Sequence, residues 1–477
     1  MNFPEFQAIH RRREFLRTFA GGFGAVALAD LLNGQPAGAE VTSNPLAPRA
    51  PHFAPKAKSV IFLFMEGGPS QFDLFDPKPA LQKWHGKPLP PSMTKDLKLA
   101  FIKPTAAVLG SPREFKQHGQ SGLVFSDYVP GLASCADDLC MVRSMYTEAF
   151  NHHPGQLLLF TGSIQPGRPT LGAWAVYGLG SESKNLPGFA VLASGVGTSG
   201  GASNFSSGFL PSTYGGVLFR SGPEPILYLN NPDGVSAATQ RAGLDALRDL
   251  NQEHLADTGD VEIASRIQSY ELAFRMQTAG PELADFSKET PETLEAYGIE
   301  KAETKQFGTN CLMARRMVER GVRYIMLMHA SWDQHTYLNK SLKKNCDATD
   351  RPTAALLKDL KQRGLLDSTL VIWGGEFGRT PMVEIRNTSD PENAGRDHHP
   401  NGYTMLLAGG GIKGGQVIGE TDELGFQIIR DKVHIHDLQA TALHCLGFDH
   451  TKLTYKHMGR DFRLTDVAGN VVTQMLA

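Results

Sequence analysis

Ser59-Val60-Ile61-Phe62-Leu63-Phe64-Met65, running into EGGPSQFDLFDPKP over 66–79, is the stretch that decides the fold. An uncharged run of this length suits a strand buried on both faces, as in a parallel sheet covered by helices. Three later runs share its character, at 323–328, 368–373 and 403–408. Helical patterns precede two of them, over Cys311 to Arg320 and Pro352 to Gln362. This alternation predicts an α/β fold, a doubly wound, mostly parallel sheet flanked by helices. Ligands bind such sheets outside the carboxyl ends of the strands. Polar clusters stand at those places: EGGPSQFDLFDPKP after the first run, HASWDQH after 323–328 and GGEFGRTP after 368–373, with GRDHHPNG just before 403–408.

The bulk composition agrees with a large packed body. Of 477 residues, 41% are hydrophobic and 20% charged, which argues against disorder. A net charge of -2 gives no sign of the one-sided basic surface that nucleic-acid binding needs, so that class is set aside. Five scattered cysteines give neither zinc-finger spacing nor a disulfide framework. Two readings stay open for them: a local Cys135–Cys140 bridge after export, or small buried hydrophobes. Residues 11–17 read RRREFLR, an apolar Gly/Ala-rich stretch follows from Phe19 to Ala29, and Ala37-Gly38-Ala39 closes the segment. This pattern fits a twin-arginine export signal over 1–39, and so a periplasmic or secreted protein with no transmembrane span in the mature chain. A polar linker is expected over 40–57, then one α/β domain over 58–477. Within that domain, 195–300 is less regular and reads as an insertion that caps or flanks the site.

The chemistry-bearing residues sit at the predicted strand ends. His152 and His153 lie in NHHPGQLLLFTG, Asp333 and His335 in SWDQH, Glu376 in GGEFGRT, and Asp397, His398 and His399 in GRDHHPNG. Asp73 follows the first strand, whereas Asp76 before Pro77 reads as a turn starter. Imidazole and carboxylate together suit zinc foremost, with manganese, iron or calcium as the other divalent ions. Gly67 and Gly68 would let the backbone approach an anion, with Ser70 as a nearby hydroxyl. Arg379 and Arg396 flank these loops and are placed to clamp a sulfate or phosphate. His434, His436 and His444 read as packed or capping histidines, His118 lacks a partner in sequence, and Trp174 with Tyr177 reads as helix packing.

The motif set resembles the bacterial DUF1501 family, a sulfatase-like branch of the alkaline phosphatase superfamily. The resemblance rests on MEGGPSQFDLFDPKP, NHHPGQLLLFTG, GRPTLGAWAVYGLG, SSGFLPSTYGGV, SWDQH, WGGEFGRTP and DHHPNGYTMLLAGGGIKGGQVIGETDE, which span nearly all of 59–450. NHHPGQLLLFTG is similar to the sulfatase segment that carries the nucleophile, with His152 where sulfatases have the cysteine that becomes formylglycine. The chain has no C-x-P-S-R. GGEFGRT falls where the superfamily has an Asp-His metal pair, here Glu376 with Phe377. HDLQATALHCLGFD resembles the closing helix of sulfatases. The resemblance implies one or two divalent ions, about 4 Å apart if two. Their ligands would come from Asp73, His152, His153, Asp333, His335, Glu376, Asp397, His398 and His399. It further implies a hydrolase of small-molecule or polysaccharide phosphate or sulfate esters, attacking through metal-activated water or Ser70. The alternative is a non-catalytic sulfatase-like scaffold that binds glycans.

Overall fold

The computed structural model describes residues 44–94, 99–195, 199–220, 226, 229, 231–385 and 390–477. The leader expected over 1–39 lies outside the described residues, as do 40–43 of the expected linker. From 44 onward that linker segment has no regular element but lies against the body. The Arg49, Phe53 and Ala57 amides donate to the carbonyls of Leu179, Gly447 and Cys445.

The strands that build the main sheet are β1 (Ser59–Met65), β2 (Leu139–Tyr146), β3 (Phe189–Ser194), β4 (Val217–Phe219), β5 (Tyr324–His329) and β6 (Thr369–Gly374). A hairpin of β7 (Gly378–Ile385) and β8 (Ala394–His399) follows, then β9 (Asn401–Ala408), β10 (Gln416–Ile418) and β11 (Val433–His434). Across the main sheet the order is β10-β2-β9-β6-β1-β5-β3-β4, with β11 beside β2. β6, β1, β5, β3 and β4 are mutually parallel, and β9 alone runs antiparallel, to both β6 and β2. The run at 403–408 reads in sequence like its parallel neighbours, so its direction is a correction. The physical reason is the β7–β8 hairpin, which returns the chain to the edge that β6 has just left. Without a crossover helix, the next strand can only run back.

Both faces of the sheet are covered. Along β1, Ile61, Leu63 and Met65 enter one core and Val60, Phe62 and Phe64 the other, which is the period-2 alternation of a strand inside two layers. The helices are α1 (His152–Thr161), α2 (Leu171–Leu179), α3 (Ala237–Thr258), α4 (Val261–Ala284), α5 (Lys305–Glu319), α6 (Leu338–Gln362) and α7 (Ile435–Cys445). α6 starts well before Pro352, which sits inside it. A proline there removes one backbone donor, but the buried positions Leu342, Cys346, Leu356 and Leu360 continue through it and hold the helix together. The region 195–300 resolves mainly into the helices α3 and α4. Their boundaries are set by Ser236 and Asp260 as side-chain N-caps and by Gly259 at a φ of 66° between them.

Several minor expectations are met. Trp174 and Tyr177 pack edge to face on α2 at 5.7 Å, and His434 caps α7. All five cysteines are buried and free, so the Cys135–Cys140 bridge is not formed. Among the described residues, no helix is long and apolar enough to cross a membrane.

Candidate metal centre

The loops after β1, β5 and β6, the first turn of α1 and the β7–β8 hairpin meet at the carboxyl ends of the central strands. There His152, Asp333, His335 and His398 bring one donor atom each to within 4.8 Å of one another. His335 Nε2 lies 3.0 Å from Asp333 Oδ1 and 2.9 Å from His398 Nε2. His398 Nε2 lies 3.1 Å from the same carboxylate oxygen, and His152 Nε2 lies 3.2 Å from Asp333 Oδ2.

The other ring nitrogens fix the tautomers. His152 Nδ1 meets Glu376 Oε1 at 2.7 Å, His335 Nδ1 meets Glu384 Oε2, and His398 Nδ1 meets the Phe150 carbonyl at 2.7 Å. All three partners accept, so each Nδ1 carries the proton and each Nε2 turns a lone pair inward. Three lone pairs and a carboxylate on one point are an acceptor-only set that calls for a cation. Buried His152 Nε2, left without a hydrogen-bond donor or acceptor of good geometry, points the same way. The arrangement fits a divalent ion with its histidines oriented from behind by carboxylate and carbonyl.

Electrostatics support this. Burial works against an ionised Asp333, yet the surrounding His152, His335 and His398 and the Arg379 charge outweigh it and hold the carboxyl well below its usual range. Burial alone would lower His152, but Asp333 and Glu376 outweigh that and raise it to about 9. His335 is raised in the same way, by Asp333 and Glu384. His398, where burial dominates, is pushed down. The pocket therefore attracts positive charge, for which protons and a metal compete.

Local geometry selects among the adjacent histidines. His152 opens α1 facing the cluster. His153, one residue and about 100° further round, is exposed, with its Nε2 3.4 Å from Ser203 Oγ. On β8, successive side chains alternate, so His398 enters the cluster while His399 turns away to the Phe426 carbonyl at 2.9 Å. The cluster thus takes one histidine of each adjacent pair, and His153 and His399 lie outside it.

Other expected site residues have structural posts. Asp73 pairs with Arg396 (Oδ2 to Nε, 2.8 Å), and both are buried. Ser70 donates to Asp73 Oδ2 and is buried too. Arg396 spends its remaining donors on the Leu109 and Thr380 carbonyls. Arg379 donates to the carbonyls of Gly67, Gly68, Trp332 and Arg396 and, at 2.6 Å, to Asp333 Oδ1. Neither guanidinium is free to clamp an oxyanion. Gly67 and Gly68 serve close packing instead of anion approach. A Cβ on Gly67 would lie 2.3 Å from the Asp333 nitrogen, and one on Gly68 would lie 2.8 Å from the Phe377 oxygen. Asp397 accepts from the amides of Phe101, Ile102 and His398. It also lies with His335 and Glu384 in a second possible cation-binding group. Glu376 supports His152 from behind and accepts from the Gly67 amide.

Sequence reasoning missed Glu384, Glu66 and Gln156. Glu384 lies near the end of the strand GRTPMVEI with no motif to mark it, opposite Gly395 on β8. A Cβ on Gly395 would lie 2.2 Å from the His335 backbone, so this glycine lets the hairpin dock on the His335 loop. Gln156 was legible, being four residues after His152 on α1. It ties Glu66 Oε1 to Ser199 Oγ, at 3.1 and 3.0 Å. Replacing Glu376 by glutamine should weaken metal binding by roughly 10–100-fold through loss of the charged partner of His152. Competition with a chromophoric chelator would measure it, and unchanged affinity would remove Glu376 from the site.

Among curated proteins, none matches this sequence. Among solved structures the chain is similar to the lipoteichoic acid synthase LtaP from Listeria monocytogenes, at 6% identity and a TM-score of 0.35, covering 88% of this chain and 78% of that one. It is similar to a sulfatase from Pseudoalteromonas sp. at 12% identity and a TM-score of 0.38, covering 90% and 72%. A protein in the alkaline phosphatase superfamily from Vibrio parahaemolyticus matches at 11% identity and a TM-score of 0.35, covering 91% and 74%. The family model described as a protein of unknown function, DUF1501, matches residues 57–476, and the chain belongs to that family.

Proposed function

We propose that this chain is an exported metal-dependent hydrolase of phosphate or sulfate esters, using one divalent ion held by His152, Asp333, His335 and His398. The observation that carries this reading is the convergence of three imidazole lone pairs and one carboxylate, with every Nδ1 held from outside. Three nitrogens and one oxygen suit zinc, manganese or iron and leave calcium, which prefers oxygen, as a poor match. When bound, such an ion supplies a Lewis acid for the ester oxygen and lowers the pKa of a water.

The chain's own residues hold that arrangement. Glu376, Glu384 and the Phe150 carbonyl keep the imidazoles aimed, and Arg379 keeps Asp333 in place. The Asp333 side chain is 41% exposed, so substrate would reach the cluster on that side. With Ser70 buried and bonded, the attacking group is water. With both arginines paired, the ion itself meets the charge of the ester. Glu384 and the two oxygens of Asp397 are engaged with His335 Nδ1 and three amides, which favours one ion over two. The twin-arginine pattern RRREFLR supports action in the periplasm or outside the cell, on small-molecule or polysaccharide esters.

Metal content by mass spectrometry, on protein purified without chelator or nickel, should give about one equivalent. Zinc- or manganese-loaded protein should then hydrolyse an aryl phosphate or an aryl sulfate, and His398→Ala should abolish this. A chain that binds no metal overturns the reading. A metal-bearing chain silent on both esters points instead to the glycan-binding scaffold.

A further inference from the structure

Phe101 is 60% exposed, although a phenyl ring gains by burial. Single exposed apolar residues are common on protein surfaces, but this one is held in place. Its amide donates to Asp397 Oδ2 at 2.7 Å, and the Ile102 amide donates to the same oxygen at 3.1 Å. Asp397 is itself fully buried, with its other oxygen accepting from the His398 amide at 2.8 Å. A buried carboxylate is thus spent on a short loop that carries one exposed ring. The ring centroid lies 5.5 Å from His398 and 6.0 Å from His335, edge to face with both. On His398 the contrast is Phe377, also a phenyl neighbour, at 4.5 Å, which is buried and serves packing.

We infer that Phe101 binds an uncharged ring in the leaving group of the ester, and that Asp397 is a positioning residue that sets Phe101 beside the cluster. This rests on the reading of the cluster as an ester site. The nearby side chains Asp333, Glu384 and Asp397 are acidic, so a leaving group with further negative charge is disfavoured. A flat apolar face is shared by aryl groups and by the C–H face of a pyranose, and either would cover the open part of the phenyl ring.

The test uses the zinc-loaded full chain and three non-hydrolysable probes measured by calorimetry: phenylphosphonate, cyclohexylphosphonate and methylphosphonate. At least one ring-bearing probe should bind on the order of tenfold more tightly than methylphosphonate. A preference for phenyl identifies the aryl source, and one for cyclohexyl the saturated ring. Phe101→Ala should erase the preference, and Phe101→Leu should keep part of it. Asp397→Asn should reduce it, and in the double variant with Phe101→Ala no further loss should appear, as expected when one residue acts through the other. Equal affinity for all three probes, or a ring preference that survives Phe101→Ala, overturns the inference. Ring preference without ester turnover would sink the hydrolase reading alone, turnover without ring preference would sink this inference alone, and binding of no probe would sink both.

Discussion

Replacing His335 with alanine is expected to strip the chain of its metal. His335 offers Nε2 beside both Asp333 and His398, so its loss removes one of four ligands and the contact that aligns two others. Structural zinc sites contribute roughly 10–16 kcal/mol, or about 2.5–4 kcal/mol per ligand in a site of four, which is a fall of roughly 10²–10³ in affinity. Loss of affinity also reaches stability, because an ion that binds only the folded chain raises its unfolding free energy by about 4 kcal/mol at a thousandfold excess over Kd. A chelator should therefore lower the Tm of the parent chain and leave that of His335→Ala nearly unchanged. Equal chelator sensitivity in the two proteins would show that the ion sits elsewhere.

Asp73→Asn is expected to destabilise the fold by about 3–5 kcal/mol without touching the metal ligands. The Arg396 guanidinium is completely buried, and the variant leaves its charge without a counter-ion. Replacing both partners with apolar residues of similar volume, as in Asp73→Leu with Arg396→Met, should recover most of that loss. The pH dependence has a definite sign. Burial would raise the Asp73 carboxyl, but the charge and hydrogen bond of Arg396, helped by Ser70, outweigh it and hold the pKa below the ordinary aspartate range. The unfolded chain thus binds this proton first as pH falls. The contribution of the pair is complete above the unfolded value and is lost as pH drops through the folded one. Denaturant melts should show parent and Asp73→Asn far apart at neutral pH and converging below about pH 4. A constant gap down to pH 3 would mean that Asp73 gains nothing from ionisation.

The central strands were legible in the sequence because burial on both faces removes polar residues, and runs such as 59–65 then stand out. β2 was less legible, since Arg143 interrupts LCMVRSMY, and the direction of β9 could not be read because an apolar run has no polarity. The residues of the candidate cluster were legible by type and by their place at strand ends. Which of them converge depends on helix phase at His152 and strand alternation at His398. Asp73, Ser70, Arg379 and Arg396 lie outside the four-residue cluster and have partners within the chain, for a common reason. A polar residue beside a strand end can serve a ligand or another part of the chain, and only the partner decides. The exposed lengths of α3 and α4 were hard to read because a helix packed along one narrow stripe has mostly polar positions.

Arg379 joins backbone from the Gly67, Trp332 and Arg396 segments, and the ligands come from His152, Asp333, His335 and His398. No local piece of chain can hold the ion, so the centre exists only once strands distant in sequence have come together. Its assembly should fall among the last events of folding. A bound ion would in turn tie these segments to one another, so its removal should speed unfolding of the whole chain more than the opening of any one loop.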